Sequence, residues 1–167
     1  SMSKSKKNTI DPEKIIEMYG ADSARLFILS DSPPEKDVQW SDEGIASSYK
    51  FIQKLWSLND RIIKEIEQNH PEDEGEEIIK FTNKFLKKMT DSLNSFSYNI
   101  LVANLHEMQN FFSKELNKKY SKKTLIENFS KILITMIPLI PHFASECLEK
   151  INCDVLKWPN YDKKLLI

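Results

Sequence analysis

"SDEGIASSYKFIQKLWSLNDRIIKEIEQN", residues 41 to 69, decides the fold class. Tyr49, Ile52, Leu55, Trp56, Ile62, Ile63 and Ile66 recur every three or four residues, so one side of a long helix collects the apolar groups. Ser41-Asp42-Glu43 supplies a cap and first-turn acids at the start, and His70 to Gly75 breaks the pattern. A stripe of this length has to be covered by other helices, which predicts a bundle.

Further along the chain the same period returns. Ile78, Ile79, Phe85, Leu86, Met89 and Leu93 mark a second long helix, and Ile100, Leu101, Leu105, Met108, Phe111 and Phe112 another, with Asn94-Ser95 between them. Leu125, Phe129, Ile132, Leu133, Met136 and Ile137 mark a further one. Pro138 and Pro141 then kink or end it, ahead of a last helix from about His142 to Ile151. The stripes, including Met108, Phe111, Phe112 and Met136, are expected to form the core.

Before residue 41 the elements are shorter. Asp11-Pro12-Glu13 reads as N-cap, first-position proline and first-turn acid, and Gly20 as the stop of that helix. A second helix runs from Asp22 to about Leu29, ended by Ser32-Pro33-Pro34, and Asp37-Val38-Gln39-Trp40 suits a short strand or extended segment. Residues 1 to 8 are polar and are expected to be disordered.

With 167 residues, 40% of them hydrophobic, the chain can bury roughly two thirds of its unfolded surface. Only 3 glycines and 29% charged residues favour long solvated helices. The net charge is −1, yet residues 72 to 77 hold five acids and no base, so the remainder is mildly basic. That acidic stretch reads as an exposed loop with no chemistry, and the pairs Lys6-Lys7, Lys87-Lys88, Lys118-Lys119 and Lys122-Lys123 could track phosphates. Cys147 and Cys153 match no metal spacing, and no metal site is expected from them or from His70, His106 and His142, all read as structural. No apolar run is long enough for a membrane span, and a cytoplasmic location without membrane contact is expected.

The chemistry therefore rests on the opening loop, where lysines carry charge on long stems and serines offer hydroxyls. Such a loop suits a transient polyphosphate; equally, a Ser/Lys-rich terminus can be a solvated flexible start. Met2-Ser3-Lys4-Ser5-Lys6, followed by Asn8, Ile10-Asp11-Pro12 and Tyr19-Gly20-Ala21-Asp22, resembles the second signature of class I aminoacyl-tRNA synthetases. Ser23 through Phe27, Ser32-Pro33-Pro34-Glu35, Val38-Gln39-Trp40-Ser41-Asp42, Gly44, Lys50-Phe51 and Leu55-Trp56 look specifically like the bacterial-type leucyl-tRNA synthetase family. Isoleucyl and valyl relatives usually place glycine where Lys7 stands and lack the Trp step at 37 to 42. The likeness is dense over residues 2 to about 60, vague over 61 to 95, and moderate through Phe96 to Asn99, Pro138 to Phe143 and Trp158-Pro159.

That resemblance implies a mainly α fold: a signature loop and short stem-contact segment (1–41), an antiparallel helical bundle of the class I synthetase anticodon-binding type (42–158) and a tail (159–167). It implies a ligase that joins leucine to ATP as leucyl-adenylate and passes the leucyl group to tRNA(Leu). By the same resemblance Lys4, the motif's second lysine, is the catalytic ATP-phosphate ligand, within an ATP-binding loop of Met2, Ser3, Lys4 and Ser5. Ser1 stands where the motif has its first lysine, either as a departure or as a residue left from cloning. The first class I signature, the nucleotide-binding sheet, the editing insertion and a small C-terminal domain are missing, so the chain is expected to be an inactive, monomeric fragment. Magnesium and ATP then belong to the parent enzyme, with none bound by the fragment alone. The competing readings are a stand-alone helical RNA-binding or adaptor domain, or the equivalent piece of an isoleucyl or valyl enzyme.

Overall fold

The computed structural model describes residues 2–31, 33–154 and 157–167, so the readings of Ser1 and Ser32 lie outside the described residues. The helices are α1 (Pro12–Tyr19), α2 (Ala21–Asp31), α3 (Asp42–Gln68), α4 (Glu76–Asn94), α5 (Tyr98–Glu115), α6 (Lys122–Met136) and α7 (Pro141–Lys150), with 3-10 turns at Lys4–Lys6 and Lys163–Leu166. Among the described residues there is no strand, only an isolated parallel bridge between His70 and Ser121. The segment 37–40 thus belongs to no strand and no helix.

The Trp step is a helix-entry device. Ser41 Oγ accepts from Gly44 N at 3.1 Å, capping α3, while Trp40 Nε1 donates to Asp42 Oδ1 at 2.8 Å. The Trp40 ring meets Phe27 of α2 edge-on at 5.4 Å, so the cap, the strap before it and α2 are fixed together. A Cβ on Gly44 would lie 2.4 Å from Phe27 Cε2, which is why the first turn of α3 can approach α2 this closely.

From that entry α3 buries Ile45, Phe51, Ile52, Leu55, Leu58, Ile62 and Ile66 along one face. Each such side chain contributes roughly 1.5–3 kcal/mol on full burial. The stripes of α4, α5 and α6 close over it: Met89, Met108, Phe112, Phe129 and Met136 are buried, and Phe111 stacks on Phe81 at 3.9 Å at the rim. Cys147 of α7 is buried in the same core, where desolvation pushes its thiol up to about 12. By contrast α1 buries nothing, and Ile16, Met18 and Ile28 leave an apolar face open on α1 and α2.

The prolines act as their positions require. Chain direction changes after Met136, and Pro141 takes the first turn of α7, where its missing N–H costs nothing. After α7, Trp158 Nε1 donates to Thr90 Oγ1 at 3.0 Å and Asp162 N to Asn83 Oδ1 at 2.7 Å, laying the C-terminal residues along α4.

The acidic segment overturns one expectation. Asp73 is not a solvated bystander: its carboxylate accepts from Ser121 N and, at 3.2 Å, from Thr124 Oγ1, tying the loop to the first turn of α6. Neighbouring charge repulsion made the run look free, but a carboxylate at a helix N-terminus gains both hydrogen bonds and dipole attraction. Gly75 is buried beside it with φ +58°, and an added Cβ would stand 2.6 Å from Thr124 Cγ2. Gly75→Ala is therefore expected to destabilise the chain by about 1–3 kcal/mol through strain and overlap, read from the midpoint of urea unfolding.

Candidate functional site

The opening loop is where sequence reasoning puts chemistry, and its residues 2–8 form a turn where disorder is expected. Ser3 sits in extended backbone as the cap of the Lys4–Lys6 turn, its Oγ accepting from Lys6 N at 3.2 Å. Its own N–H donates to Asn8 Oδ1 at 2.8 Å, and its hydroxyl lies 3.1 Å from Ser5 Oγ. Lys7 closes the turn in the left-handed region at φ 51°. Lys4, Lys6 and Lys7 are exposed and make no ion pair among the described residues, so their charge is uncompensated.

Met2 leans on the strap before α3. It lines a groove of about 660 Å³ with Asn8, Asp37, Val38, Gln39 and Trp40, and a more apolar one of about 480 Å³ between α1 and α2. The loop thereby borders the same groove as the Trp step, and Lys4 is exposed. Its four candidate ATP-binding residues, Met2 to Ser5, are brought together by the turn itself.

A polar clamp that sequence reasoning missed anchors this segment to the bundle. Asp22 is buried, and its two carboxylate oxygens accept from His142 N at 3.2 Å and Phe143 N at 2.7 Å. Those are the free amides of the first turn of α7, whose own preceding residue, Ile140, offers no side-chain cap. Arg25, one turn along α2, donates from Nε to Leu139 O at 3.0 Å and from Nη2 to Pro138 O at 2.6 Å. His142, read as structural, thus stands in the first turn of α7, and the capping group comes from Asp22, 120 residues earlier.

The remaining histidines have structural surroundings. His70 Nε2 lies 3.1 Å from Glu65 Oε2, and His106 stacks on Phe51 at 3.7 Å. Burial against that ring, with Lys54 close by, lowers the His106 pKa below its ordinary value. Several of the lysine pairs read as phosphate trackers are already engaged: Lys87 with Asp91, Lys88 with Glu107 at 2.7 Å and Lys118 with Glu115 at 2.8 Å.

Comparison with known proteins assigns both regions. Residues 1–41 match the family of tRNA synthetases class I (I, L, M and V), and residues 75–166 match the anticodon-binding domain of tRNA ligase. The chain is 35% identical over 181 residues to a leucine–tRNA ligase of Fusobacterium nucleatum, covering 99% of this chain and 21% of that protein. It is 38% identical over 177 residues to the leucine–tRNA ligase of a Wolbachia pipientis strain from Culex pipiens, again covering 99% and 21%. The chain therefore spans about a fifth of the length of these relatives. In fold it resembles the LeuRS of Agrobacterium radiobacter K84, solved as a ternary complex with tRNA and LeuAMS, with a TM-score of 0.85 at 21% identity over 99% of this chain and 23% of that one. Since the second of the two family matches takes in more than half of its residues, the chain belongs to the family of the anticodon-binding domain of tRNA ligase.

Proposed function

We propose that the chain supplies two working parts of a leucine–tRNA ligase: the ATP-phosphate loop, Met2 to Ser5, and the helical domain that contacts tRNA(Leu). The complete enzyme activates leucine with ATP as leucyl-adenylate, releases pyrophosphate and transfers the leucyl group to its tRNA in the cytoplasm. Residues 1–41 carry the loop and stem-contact segment, 42–158 the bundle and 159–167 a tail. The observation that carries this reading is the likeness to leucine–tRNA ligases along 99% of the chain, signature loop included.

In this role Lys4 moves no proton. Its ammonium meets charge that develops on the pyrophosphate leaving group, while Ser3 and Ser5 hold the turn that presents it. Magnesium belongs with the nucleotide in the complete enzyme; among the described residues no three His, Cys, Asp or Glu side chains gather at one point. Among those residues no helix is long and apolar enough to cross a membrane.

The test is amino-acid-dependent ATP–pyrophosphate exchange. The full-length ligase that contains this region is expected to exchange with leucine and far more weakly with isoleucine or valine, and the 167-residue chain alone, as a monomer, to give no exchange. Exchange driven by isoleucine or valine in preference would assign the region to a sister enzyme, and exchange by the isolated chain would move the active site into it.

A further inference from the structure

Resting on the reading of the chain as a tRNA-ligase region, we propose that the bundle tracks the RNA sugar–phosphate backbone with the face shared by α3 and α5, through Lys50, Lys54 and Lys64. On α3 the residues Lys50, Lys54, Ser57, Arg61 and Lys64 follow one another at intervals of three or four, which places them along one side of the helix. From Lys50 to Lys64 the stripe is about 21 Å long. By the helical period Asp60 is turned some 120° away from Lys54, but it stands one turn before Lys64, at the end of the stripe.

Charge pairing separates this face from the paired lysines of α4. Lys50, Lys54 and Lys64 are exposed and have no ion-pair partner among the described residues. On α4, in contrast, Lys80 is held by Glu76, Lys87 by Asp91 and Lys88 by Glu107 of α5. A phosphate approaching α4 has to displace a carboxylate at each of these three lysines; one approaching Lys50 and Lys54 displaces only water and mobile ions. Glu107 pairs with Lys88 on the α4 side, and the cleft between α3 and α5 has no carboxylate in its lining.

That cleft, about 350 Å³, is lined by Lys54, Arg61 and the neutral polar groups of Gln53, Ser57, Gln109 and Ser113, with Leu58. Arg61 donates to Ser113 O and to Asn117 Oδ1, each at 2.8 Å, which pins α3 to the end of α5 and keeps a fixed positive charge at the groove wall. Close to Lys54 the His106 ring is stacked on Phe51. Unpaired cations, neutral hydrogen-bonding side chains and a groove held open by a bound arginine are the features that sequence-independent RNA backbone contact calls for.

The test uses the full-length ligase and its tRNA, with binding followed by fluorescence anisotropy between about 50 and 200 mM salt. Lys50→Gln/Lys54→Gln/Lys64→Gln is expected to weaken binding at least tenfold and to reduce the slope of log affinity against log salt by about two, since each lost phosphate contact removes roughly 0.7–0.9. Lys80→Gln/Lys87→Gln/Lys88→Gln is expected to change that slope by less than one unit. Should the first variant fold poorly by circular dichroism, the single reversal Lys54→Glu carries the test, with a slope loss of about one expected. Binding and slope unchanged in the α3 variant, or an equal loss in the α4 variant, would overturn the assignment of this face while leaving the ligase reading intact. A wild-type ligase that binds no tRNA would overturn the ligase reading itself.

Discussion

Asp22→Ala is expected to cost about 2–4 kcal/mol of stability, the largest loss predicted for any single side chain outside the apolar core. Two amides, of His142 and Phe143, depend on that carboxylate, and Ile140 cannot replace it. Hydrogen bonds to a charged acceptor are worth roughly 1.5–3 kcal/mol each, and loss of a helix cap about 0.5–2. The two contributions overlap, because the bonds are the cap, so they do not add in full. Asp22→Asn keeps one carbonyl acceptor and should lose about half as much. Urea unfolding followed by circular dichroism measures both variants, and a loss below about 1 kcal/mol for alanine would show that water caps α7 adequately. Arg25→Met addresses the other half of the clamp, exposing the carbonyls of Pro138 and Leu139 at the end of α6.

This clamp marks the limit of what the sequence alone made legible. Helical periodicity is a local property, so the stripe of α3, the stop at Gly20 and the turn into Pro141 could all be placed from neighbours within a few residues. Asp22 also had a local explanation, as an acid in the first turn of α2, and that explanation hid its partner 120 residues away. Asp73 was hidden in the same manner: five acids within six residues read as an exposed loop, while one of them caps α6. In both cases the missing information is which helix N-terminus lies nearby in space, and no periodicity encodes it.

The lysines illustrate the opposite failure. Adjacent pairs stand out in a linear sequence, yet residues one apart on a helix point about 100° away from each other and do not make a surface together. Lys87 and Lys88 accordingly go to different acids, Asp91 on their own helix and Glu107 on α5. Lys50, Lys54 and Lys64 are unremarkable as neighbours in sequence and become a stripe only when wound at 3.6 residues per turn. For the opening loop the resemblance carried what the residues could not, since Ser/Lys-rich composition fits a phosphate ligand and a loose terminus equally well.

Lys4→Ala, introduced into the full-length ligase, is expected to lower kcat for leucine-dependent ATP–pyrophosphate exchange by about ten- to a hundredfold or more. A charge-assisted bond to phosphate is worth roughly 1.5–3 kcal/mol, and each 1.36 kcal/mol of barrier is a factor of ten. If the ammonium closes on the leaving group only as its charge develops, kcat falls while KM for ATP moves little; a ground-state phosphate ligand would raise KM instead. The Lys4 side chain is exposed and makes no ion pair among the described residues, and its carbonyl, which accepts from Lys7 N, survives in alanine, so the substitution leaves the thermal transition unchanged and a kinetic loss cannot be laid to unfolding. Lys4→Arg keeps the charge but spreads it over a planar group and should recover only part of the rate. Ser3→Ala removes the hydroxyl that accepts from Lys6 N and should act through the turn, with a smaller loss than Lys4→Ala. An exchange rate unaltered by Lys4→Ala would mean that the phosphates are neutralised from elsewhere in the enzyme, and that this turn is a hinge passing the active site without taking part in it.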